Sequence, residues 1–297
     1  MLKVFAPAKV NLHLHITGKL SDGYHTLDSL VMFADIGDML TFQKADTFSF
    51  KIEGPFANAF THDELDTSPQ SKNLVVKAAW RIANLVAREL NVGITLQKNL
   101  PLGSGLGGGS ADAAACLWGL CQLWNIVLPE THRAALALQL GRDVPVCLKS
   151  ETCQMQGTGE IHREVQQLPE LPVLLVWPNE PVSTTDVFRS LDLPTFSSDV
   201  KFPDALDQLG SLCTFLNGST RNDLTAAAQE FLPSISLALD LIRAQSGCLL
   251  SRLSGSGSTC FGIFKSEDQL AAAAEAISLH HPTWWVRTGW LNRVSRY

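Results

Sequence analysis

The chain has 297 residues, of which 45% are hydrophobic and 18% charged, and its formal net charge is −6. This composition is typical of a folded globular protein, and the length predicts one large domain or two packed domains. No apolar run approaches the ~18 residues that cross a bilayer, and no basic stripe is available to bind a phosphate backbone. We therefore expect a small-molecule partner, with no membrane and no nucleic acid.

The opening residues and the cysteines both favour the cytoplasm. The stretch "MLKVFAPAKVNLHLHITG" alternates polar and apolar residues instead of showing the charged, apolar and small-residue zones of a signal peptide. Seven cysteines occur without a Cys-x-x-Cys pair. This predicts reduced thiols rather than a disulfide framework or a zinc site.

The first part of the chain alternates predicted strands and helices. Residues 10–16 alternate in polarity and predict a strand, and "SDGYH" at 21–25 predicts a turn. The polar stretch 57–72 predicts a loop. Apolar residues at helical spacing predict a helix over 73–90, and β-branched residues predict a short strand over 92–97.

A glycine-rich loop, "PLGSGLGGGSADAAA" at residues 101–115, follows that strand. It runs into a helical pattern for which Ser110 is the predicted N-cap. A further helix is predicted from about Thr131 to a C-cap at Gly141, and an apolar run at 171–178 predicts a strand.

Helical and strand patterns then restart toward the end of the chain. Helices are predicted in "SISLALDLIRAQSG" and the alanine-rich 270–277, and a strand in "STCFGIF". We therefore place a domain boundary near residue 160, which predicts one domain over 1–160 and a second over 161–297.

The glycine loop predicts a phosphate site, because unpaired amides at a helix N-terminus attract anions and glycine lets the backbone approach them closely. A crowded turn without a ligand is the plain alternative. A Walker loop is disfavoured, since no lysine precedes Ser110. Gly103, Gly105 and Gly108 fit the dinucleotide fingerprint with Glu130 further on, but that fingerprint normally opens a domain.

The loop resembles the phosphate-binding signature of the GHMP family of small-molecule kinases. The stretches "APAKVNLHLHITGKLSDGYHTLDS" (6–29) and "RLSGSGSTCFGIF" (252–264) resemble opening and C-terminal motifs found in that family. The resemblance implies an α+β fold of two domains, the first like domain 2 of ribosomal protein S5 and the second ferredoxin-like. The active site is then expected in the cleft between them.

The resemblance also implies a reaction and its partners. ATP is the implied co-substrate, Mg²⁺ the implied cofactor, and a cytidine-diphosphate sugar alcohol of isoprenoid precursor synthesis the implied substrate, phosphorylated on its 2-hydroxyl. The expected state is a monomer or a weak homodimer.

Two residues are implied to carry the chemistry. Phosphoryl transfer to an alcohol needs a carboxylate that accepts the hydroxyl proton. Asp143, in "GRDVPV", follows the predicted C-cap and precedes Pro145, which restrains the chain beside it; local capping of backbone amides is the alternative. By resemblance, Asp143 is the catalytic base, and Lys9 helps to polarise the hydroxyl or the γ-phosphate.

The implied ATP-binding residues lie in the glycine loop and in the helix and strand before it. They are Asn73, Leu74, Lys98, Pro101, Gly103, Gly105, Leu106, Gly107, Gly108, Gly109 and Ser110.

The implied substrate-binding residues come from several separate segments. They are Asn11, Tyr24, His25, Asp143, Thr184 and Phe188. Tyr24 and Phe188 are implied to stack on the two faces of a cytosine, with His25 at its edge. From the residues alone, both rings could instead be partly buried core aromatics.

Two other classes of function stay open. His13 and His15 have the His-x-His spacing of a metal site, which is compatible with a metallohydrolase, although no matching downstream set of ligands is evident. A non-catalytic nucleotide sensor would also use a phosphate loop.

Overall fold

The computed structural model describes residues 1–165, 167–203 and 205–294, and these form an α+β fold. The strands are β1 (Leu2–Asn11), β2 (His15–Lys19), β3 (His25–Lys44), β4 (Ser49–Glu53), β5 (Val92–Gln97), β6 (Cys153–Gly157), β7 (Ile161–Glu164), β8 (Leu171–Trp177), β9 (Cys248–Leu253), β10 (Cys260–Phe264) and β11 (Trp285–Leu291). The helices are α1 (His62–Leu65), α2 (Leu74–Leu85), α3 (Gly108–Trp124), α4 (Glu130–Leu140), α5 (Val144–Lys149), α6 (Thr184–Arg189), α7 (Leu209–Ser219), α8 (Thr225–Phe231), α9 (Ser234–Arg243) and α10 (Glu267–His280), with a 3₁₀ turn at Ala57–Ala59.

The 20-residue strand β3 is the central strand of the sheet. Strands β1, β2, β5 and β6 all pair with it antiparallel, and β4 extends the sheet by pairing parallel to β5. In the second half of the chain the order is β11-β8-β10-β9, all antiparallel. The two groups of strands meet where Leu291 of β11 pairs with Ala34 of β3.

Helices and loops cover both faces of these strands, so apolar residues are buried on each side. In β8, Leu174 and Val176 belong to one hydrophobic cluster, while Val173 and Leu175 belong to another. All seven residues of β8 are buried, which explains why its sequence is a continuous apolar run instead of an alternation.

The predicted continuous strand over 10–16 is wrong. β1 ends at Asn11 and β2 begins at His15, because the backbone leaves the ladder between them to pair with the second half of the chain: the Leu14 amide donates to the Arg221 carbonyl over 2.9 Å. The polar side of this segment is also buried, as Lys9, Asn11 and His13 are each less than 5% exposed. The alternation therefore separates a core face from a buried polar face.

Other predicted elements agree with the structure to different degrees. The strand over 92–97 is confirmed residue for residue, and the helix ending at the Gly141 C-cap is confirmed as α4. The helix predicted over 73–90 ends earlier, since Ala87 adopts a left-handed φ of 50° just past its C-cap. The stretch 57–72 is not wholly a loop, because it contains the 3₁₀ turn and α1.

The start of α3 also differs from the prediction. The helix begins at Gly108 with Gly107 as its N-cap, three residues before the predicted cap Ser110. Gly107 has a φ of 65°, which a serine cap would rarely adopt. Among the described residues, no helix combines the length and the hydrophobicity that a membrane crossing requires.

Candidate active site

A cavity of about 1180 Å³ lies where β1, β3, the glycine loop, α5 and α6 converge. It contains almost every residue that the sequence singled out. Its lining includes Lys9, Asp143, residues of the glycine loop, Asn73 and Leu74. The remaining lining includes the predicted substrate residues Asn11, Tyr24, His25, Thr184 and Phe188.

The glycine loop is held in place by long-range backbone contacts. The Lys9 amide donates to the Leu106 carbonyl over 2.8 Å, so strand β1 fixes the middle of the loop. From the second half of the chain, the Thr259 amide donates to the Ser104 carbonyl over 3.0 Å. The Ser254 hydroxyl donates to the Gly105 carbonyl over 3.1 Å. The C-terminal glycine motif therefore braces the loop.

Two glycines are required by close approach as well as by backbone conformation. Gly105 has a φ of 77°, and a Cβ there would lie 2.4 Å from the Ser254 carbonyl oxygen. Gly107 has a φ of 65°, and a Cβ there would meet the side chain of Lys9 at 3.2 Å. The loop therefore delivers bare amides to the N-terminus of the 17-residue helix α3, an arrangement that suits an anionic phosphate.

Beneath the loop, Lys98 is fully buried between two carboxylates. Its Nζ lies 2.6 Å from Asp38 Oδ2 and 2.7 Å from Asp112 Oδ2. Burial alone would lower the pKa of Lys98, but the charges of Asp112 and Asp38 outweigh that effect and raise it. Burial and the neighbouring Asp38 raise the pKa of Asp112 well above its ordinary value.

Asp38 also anchors the two residues that precede the glycine loop. Its Oδ1 accepts hydrogen bonds from the amides of Asn99 and Leu100 over 2.6 and 2.8 Å. Lys98 was predicted to reach the nucleotide. The structure places its ammonium below the loop, 3.0 Å from where a Cβ on Gly108 would lie, with two donors committed to carboxylates.

Lys9 and Asp143, which both line the cavity, form an ion pair. Lys9 Nζ donates to Asp143 Oδ2 over 2.9 Å. The Lys9 side chain is 6% exposed and the Asp143 side chain 40%, so the lysine is fixed while the carboxylate faces the open cavity. Asp143 is the N-cap residue of α5 with Pro145 in the first turn, but its side chain makes no capping hydrogen bond. The carboxylate is therefore available to a ligand. The alternative that Asp143 only caps backbone amides is not supported.

The predicted substrate residues surround the other part of the cavity. Tyr24 and His25 follow the tight turn between β2 and β3, where the Tyr24 amide donates to Asp22 Oδ1 over 3.0 Å. Thr184 and Phe188 lie one turn apart on α6 and so share a face of that helix. The rings of His25 and Phe188 are 5.7 Å apart, and burial lowers the pKa of His25, with Lys19 adding to the effect.

Asn11 presents an unused acceptor in the same space. Its Nδ2 donates to the Ser29 hydroxyl over 2.8 Å, which fixes the orientation of the amide. Its Oδ1 is buried and has no hydrogen-bond partner among the described residues. A ligand hydroxyl at this point would satisfy it, since buried polar atoms in proteins are normally paired.

The structure does not support a metal site at His13 and His15. His13 Nε2 lies 2.8 Å from Asp28 Oδ1, and its Nδ1 accepts from the Leu30 amide over 3.2 Å. His15 Nδ1 lies 3.1 Å from the Ser198 carbonyl, and its Nε2 accepts from the Arg221 amide over 3.2 Å. Both ring nitrogens of each histidine are therefore occupied. In the described part of the chain, no cluster of three or more His, Cys, Asp or Glu side chains could hold a metal ion.

One predicted residue points away from the cavity. The side chain of Leu106 is fully buried in a hydrophobic cluster, and its backbone carbonyl is what serves the site. The sequence patterns did not single out Asp38 and Asp112, which pair with Lys98, or Arg142, which lines the cavity. Asp112 could have been identified from "SADAAA", because it is a carboxylate in the first turns of the predicted helix. No sequence pattern distinguishes Asp38.

Fold and site together define a class of protein: the chain belongs to the GHMP kinase family and is a kinase. The model of the GHMP kinases N terminal domain matches residues 73–151, and that of the GHMP kinases C terminal domain matches residues 204–282. The expected α+β GHMP kinase fold is thereby confirmed.

Particular relatives resemble the chain over nearly its whole length. It is 44% identical over 291 residues to a 4-diphosphocytidyl-2-C-methyl-D-erythritol kinase from Cereibacter sphaeroides (strain KD131 / KCTC 12085), covering 96% of this chain and 98% of the relative. It is 43% identical over 281 residues to a kinase of the same name from Paramagnetospirillum magneticum, covering 95% of each.

Solved structures share the fold of this chain. A crystal structure of 4-(cytidine 5'-diphospho)-2C-methyl-D-erythritol kinase superposes with a TM-score of 0.78 at 28% identity, covering 98% of this chain and 99% of the other. Homoserine kinase from Cytophaga hutchinsonii shares the fold with a TM-score of 0.68 at 19% identity, covering 97% and 94%.

Proposed function

We propose that the chain transfers the γ-phosphate of ATP to the 2-hydroxyl of 4-diphosphocytidyl-2-C-methyl-D-erythritol, a step of the non-mevalonate route to isoprenoid precursors. The observation that carries the proposal is the position of the Lys9–Asp143 pair, between a phosphate-binding loop and a pocket lined by Tyr24, His25 and Phe188. The names of relatives that are 43–44% identical over almost the full chain support the choice of substrate.

In this mechanism the cavity orders the reactants in a line. The amides of the glycine loop bind the ATP phosphates, with Asn73 and Leu74 beside the adenosine. Asp143 accepts the proton of the 2-hydroxyl as the oxygen attacks the γ-phosphorus, and the nearby Lys9 ammonium stabilises the negative charge spread over the transferring group. The bond to the β,γ-bridging oxygen breaks, and ADP leaves with the electron pair.

The substrate pocket would then fix the acceptor. Tyr24 and Phe188 stack on the cytosine, because aromatic faces bind bases through stacking. A neutral His25 offers one donor and one acceptor to the edge of the base, and its lowered pKa favours that neutral form. Asn11 Oδ1 and the Thr184 hydroxyl supply polar contacts to the rest of the molecule.

Magnesium fits the chemistry of one corner of the site. Asp112 Oδ1 is buried without a partner in the described part of the chain, and hard oxygen donors are the ligands that Mg²⁺ prefers. Asp112 and the Ser110 hydroxyl, both in the first turns of α3, are the residues that would hold the ion. When bound, Mg²⁺ would neutralise charge on the ATP phosphates.

We further propose domains at 1–160 and 161–297, a cytoplasmic location and a monomeric or weakly dimeric state. The division is supported by the β11-β8-β10-β9 group of strands, which forms after residue 160.

The proposal is tested by phosphoryl transfer from γ-labelled ATP to a panel of alcohols. The panel contains the cytidine-diphosphate sugar alcohol, its uridine analogue, mevalonate, homoserine and galactose. We expect label in the cytidine compound alone, since polar groups built for one base edge are left unpaired by another. Equal labelling of the uridine analogue, or preferential labelling of another alcohol, would contradict the assignment.

A further inference from the structure

Six cationic side chains of the described residues line the cavity, and they differ in whether a carboxylate already pairs with them. They are Lys9, Lys19, Lys72, Lys98, Arg142 and Arg189. Four are in ion pairs: Lys9 with Asp143, Lys72 with Asp63, Lys98 with Asp38 and Asp112, and Arg189 with Asp186. Among the described residues, Lys19 and Arg142 have no carboxylate within ion-pair distance.

These two cations lie at the same corner of the cavity. Lys19 pairs with His25 across the β2–β3 hairpin. The Arg142 guanidinium carbon lies 3.8 Å from the centre of the Tyr24 ring, a face contact between a cation and an aromatic ring. The corner therefore concentrates positive charge beside the two residues proposed to bind the base.

Arg142 is held in one orientation, but most of its N–H donors remain unused within the described part of the chain. Its Nη1 donates to the Thr158 hydroxyl, and that hydroxyl in turn donates to Glu160 Oε2 over 2.7 Å. The Glu160 carboxylate is thus linked to the guanidinium only through the Thr158 hydroxyl. An arginine has five N–H donors in one plane, so a guanidinium lying over a ring still offers its edge to an anion.

We propose that Arg142, with help from Lys19, binds the diphosphate of the acceptor substrate. This inference rests on the proposed function, in which the acceptor carries a cytidine at one end and the reacting hydroxyl at the other, with two phosphates between them. The cavity repeats that order: Tyr24 meets the base, Arg142 touches the Tyr24 ring, and Asp143, the next residue, meets the hydroxyl. Arg142 covers one face of Tyr24 and leaves the other for the cytosine.

ATP offers the same phosphate chemistry, so the experiment must separate the two sources. Binding of cytidine, cytidine monophosphate, cytidine diphosphate and ATP is measured by calorimetry for the wild type, Arg142→Met, Arg142→Lys and Lys19→Met. Arg189→Met is the matched control, since Arg189 also lines the cavity but already pairs with Asp186. Circular dichroism and thermal melting verify that each variant is folded.

Arg142→Met is expected to weaken cytidine diphosphate by about 10- to 100-fold, the range for losing charge-assisted hydrogen bonds. Cytidine and ATP should change less than about twofold. Arg142→Lys should recover part of the loss, because it restores the charge without the planar fork. The wild-type affinity for cytidine diphosphate should also fall with salt more steeply than that of Arg142→Met.

Four results would overturn the inference. If Arg142→Met weakens cytidine and cytidine diphosphate equally, the arginine supports the Tyr24 ring and not the phosphates. If it weakens ATP and spares cytidine diphosphate, the cation serves the nucleotide donor. If the wild type binds cytidine but Arg142→Met leaves cytidine diphosphate unchanged, this inference alone fails; a wild type that binds no cytidine compound overturns the proposed function as well.

Discussion

Lys9 and Asp143 are separated by 134 residues in sequence, yet Lys9 Nζ and Asp143 Oδ2 lie 2.9 Å apart. The lysine belongs to the first strand and the aspartate to the start of α5. The Lys9 amide is also bonded to the Leu106 carbonyl of the glycine loop. Lys9 is thus bonded both to Asp143 and to the glycine loop, which joins the three parts of the site.

Replacing the carboxylate tests its proposed chemistry. Asp143→Asn is expected to lower turnover by about two to four orders of magnitude, the range for losing general-base help, while the protein stays folded and binds ATP. Steady-state kinetics and nucleotide titration measure the two effects. Asp240→Asn, a change of the same kind on the exposed face of α9, should leave turnover unaltered. Near-normal turnover of Asp143→Asn would exclude Asp143 as the base.

The proposed role of the glycine loop in ATP binding is tested by adding a side chain that blocks the approach of the phosphates. Gly107→Val should impair ATP binding, since valine disfavours a φ of 65° and its Cβ would meet Lys9 at 3.2 Å. Gly210→Val is the matched control, because a Cβ at Gly210 meets nothing within 4 Å and that glycine has no left-handed φ. Calorimetry with ATP gives the comparison. A folded Gly107→Val protein with wild-type ATP affinity would mean that the loop is a structural turn.

The proposed stacking of Tyr24 and Phe188 on the cytosine is tested by removing each ring. Tyr24→Ala and Phe188→Ala should each weaken the cytidine substrate by about 1 to 3 kcal/mol, the contribution of base stacking, and leave ATP affinity unchanged. Phe196→Ala removes an equally large ring that is 50% exposed and does not line the cavity, so it should have little effect. Normal substrate binding by both variants would reduce the assignment to a GHMP-type small-molecule kinase of other specificity.

Two histidines, His13, which is buried, and His162, which is partly buried, should make stability depend on pH. Burial lowers the pKa of His13 and of His162, and the effect on His13 outweighs the opposing influence of Asp28. Protonating His13 would also place a proton on Nδ1, which accepts from the Leu30 amide. In the unfolded chain these histidines bind protons at about pH 6.5, whereas in the folded protein they bind them only at lower pH. The free energy of unfolding is therefore highest above pH 6.5 and decreases as the pH falls from 6.5 through the lowered pKa values of the folded state.

Urea denaturation between pH 8 and pH 5 measures this dependence. The lowered pKa of Asp28 adds a further loss of stability only under more acidic conditions, below the ordinary range of a carboxyl. His13→Asn should be less stable overall but show a flatter curve between pH 6.5 and 5. An equally steep curve would show that His13 does not contribute.

The buried cluster of Lys98, Asp38 and Asp112 predicts a stability effect. Lys98→Met should lower the free energy of unfolding by about 3 to 5 kcal/mol, because it leaves two buried carboxylates without a counter-charge. Adding Asp112→Asn should restore part of the loss, since it removes one of the uncompensated charges. A loss below about 1 kcal/mol for Lys98→Met would indicate that water or a bound cation replaces the ammonium.

The sequence by itself determined the local elements and the family. β-Branched residues predicted β5, an apolar run predicted β8, and helical spacing and glycine content predicted α4 and the glycine loop, because short-range backbone preferences govern these features. The motifs around Lys9 and Gly107, together with the C-terminal stretch 252–264, were sufficient to identify a GHMP kinase.

Only the tertiary structure decided how the polar residues pair. The alternation around His13 predicted a polar face, but it could not reveal that this face is buried against Asp28 and backbone groups of the second half of the chain. Nor could it reveal that Lys98 is held between Asp38 and Asp112, or that Arg142 lies on Tyr24. These contacts join residues that are 14 to 206 positions apart in the chain. Their energies depend on burial and distance, and both are set by how the elements pack rather than by any local pattern.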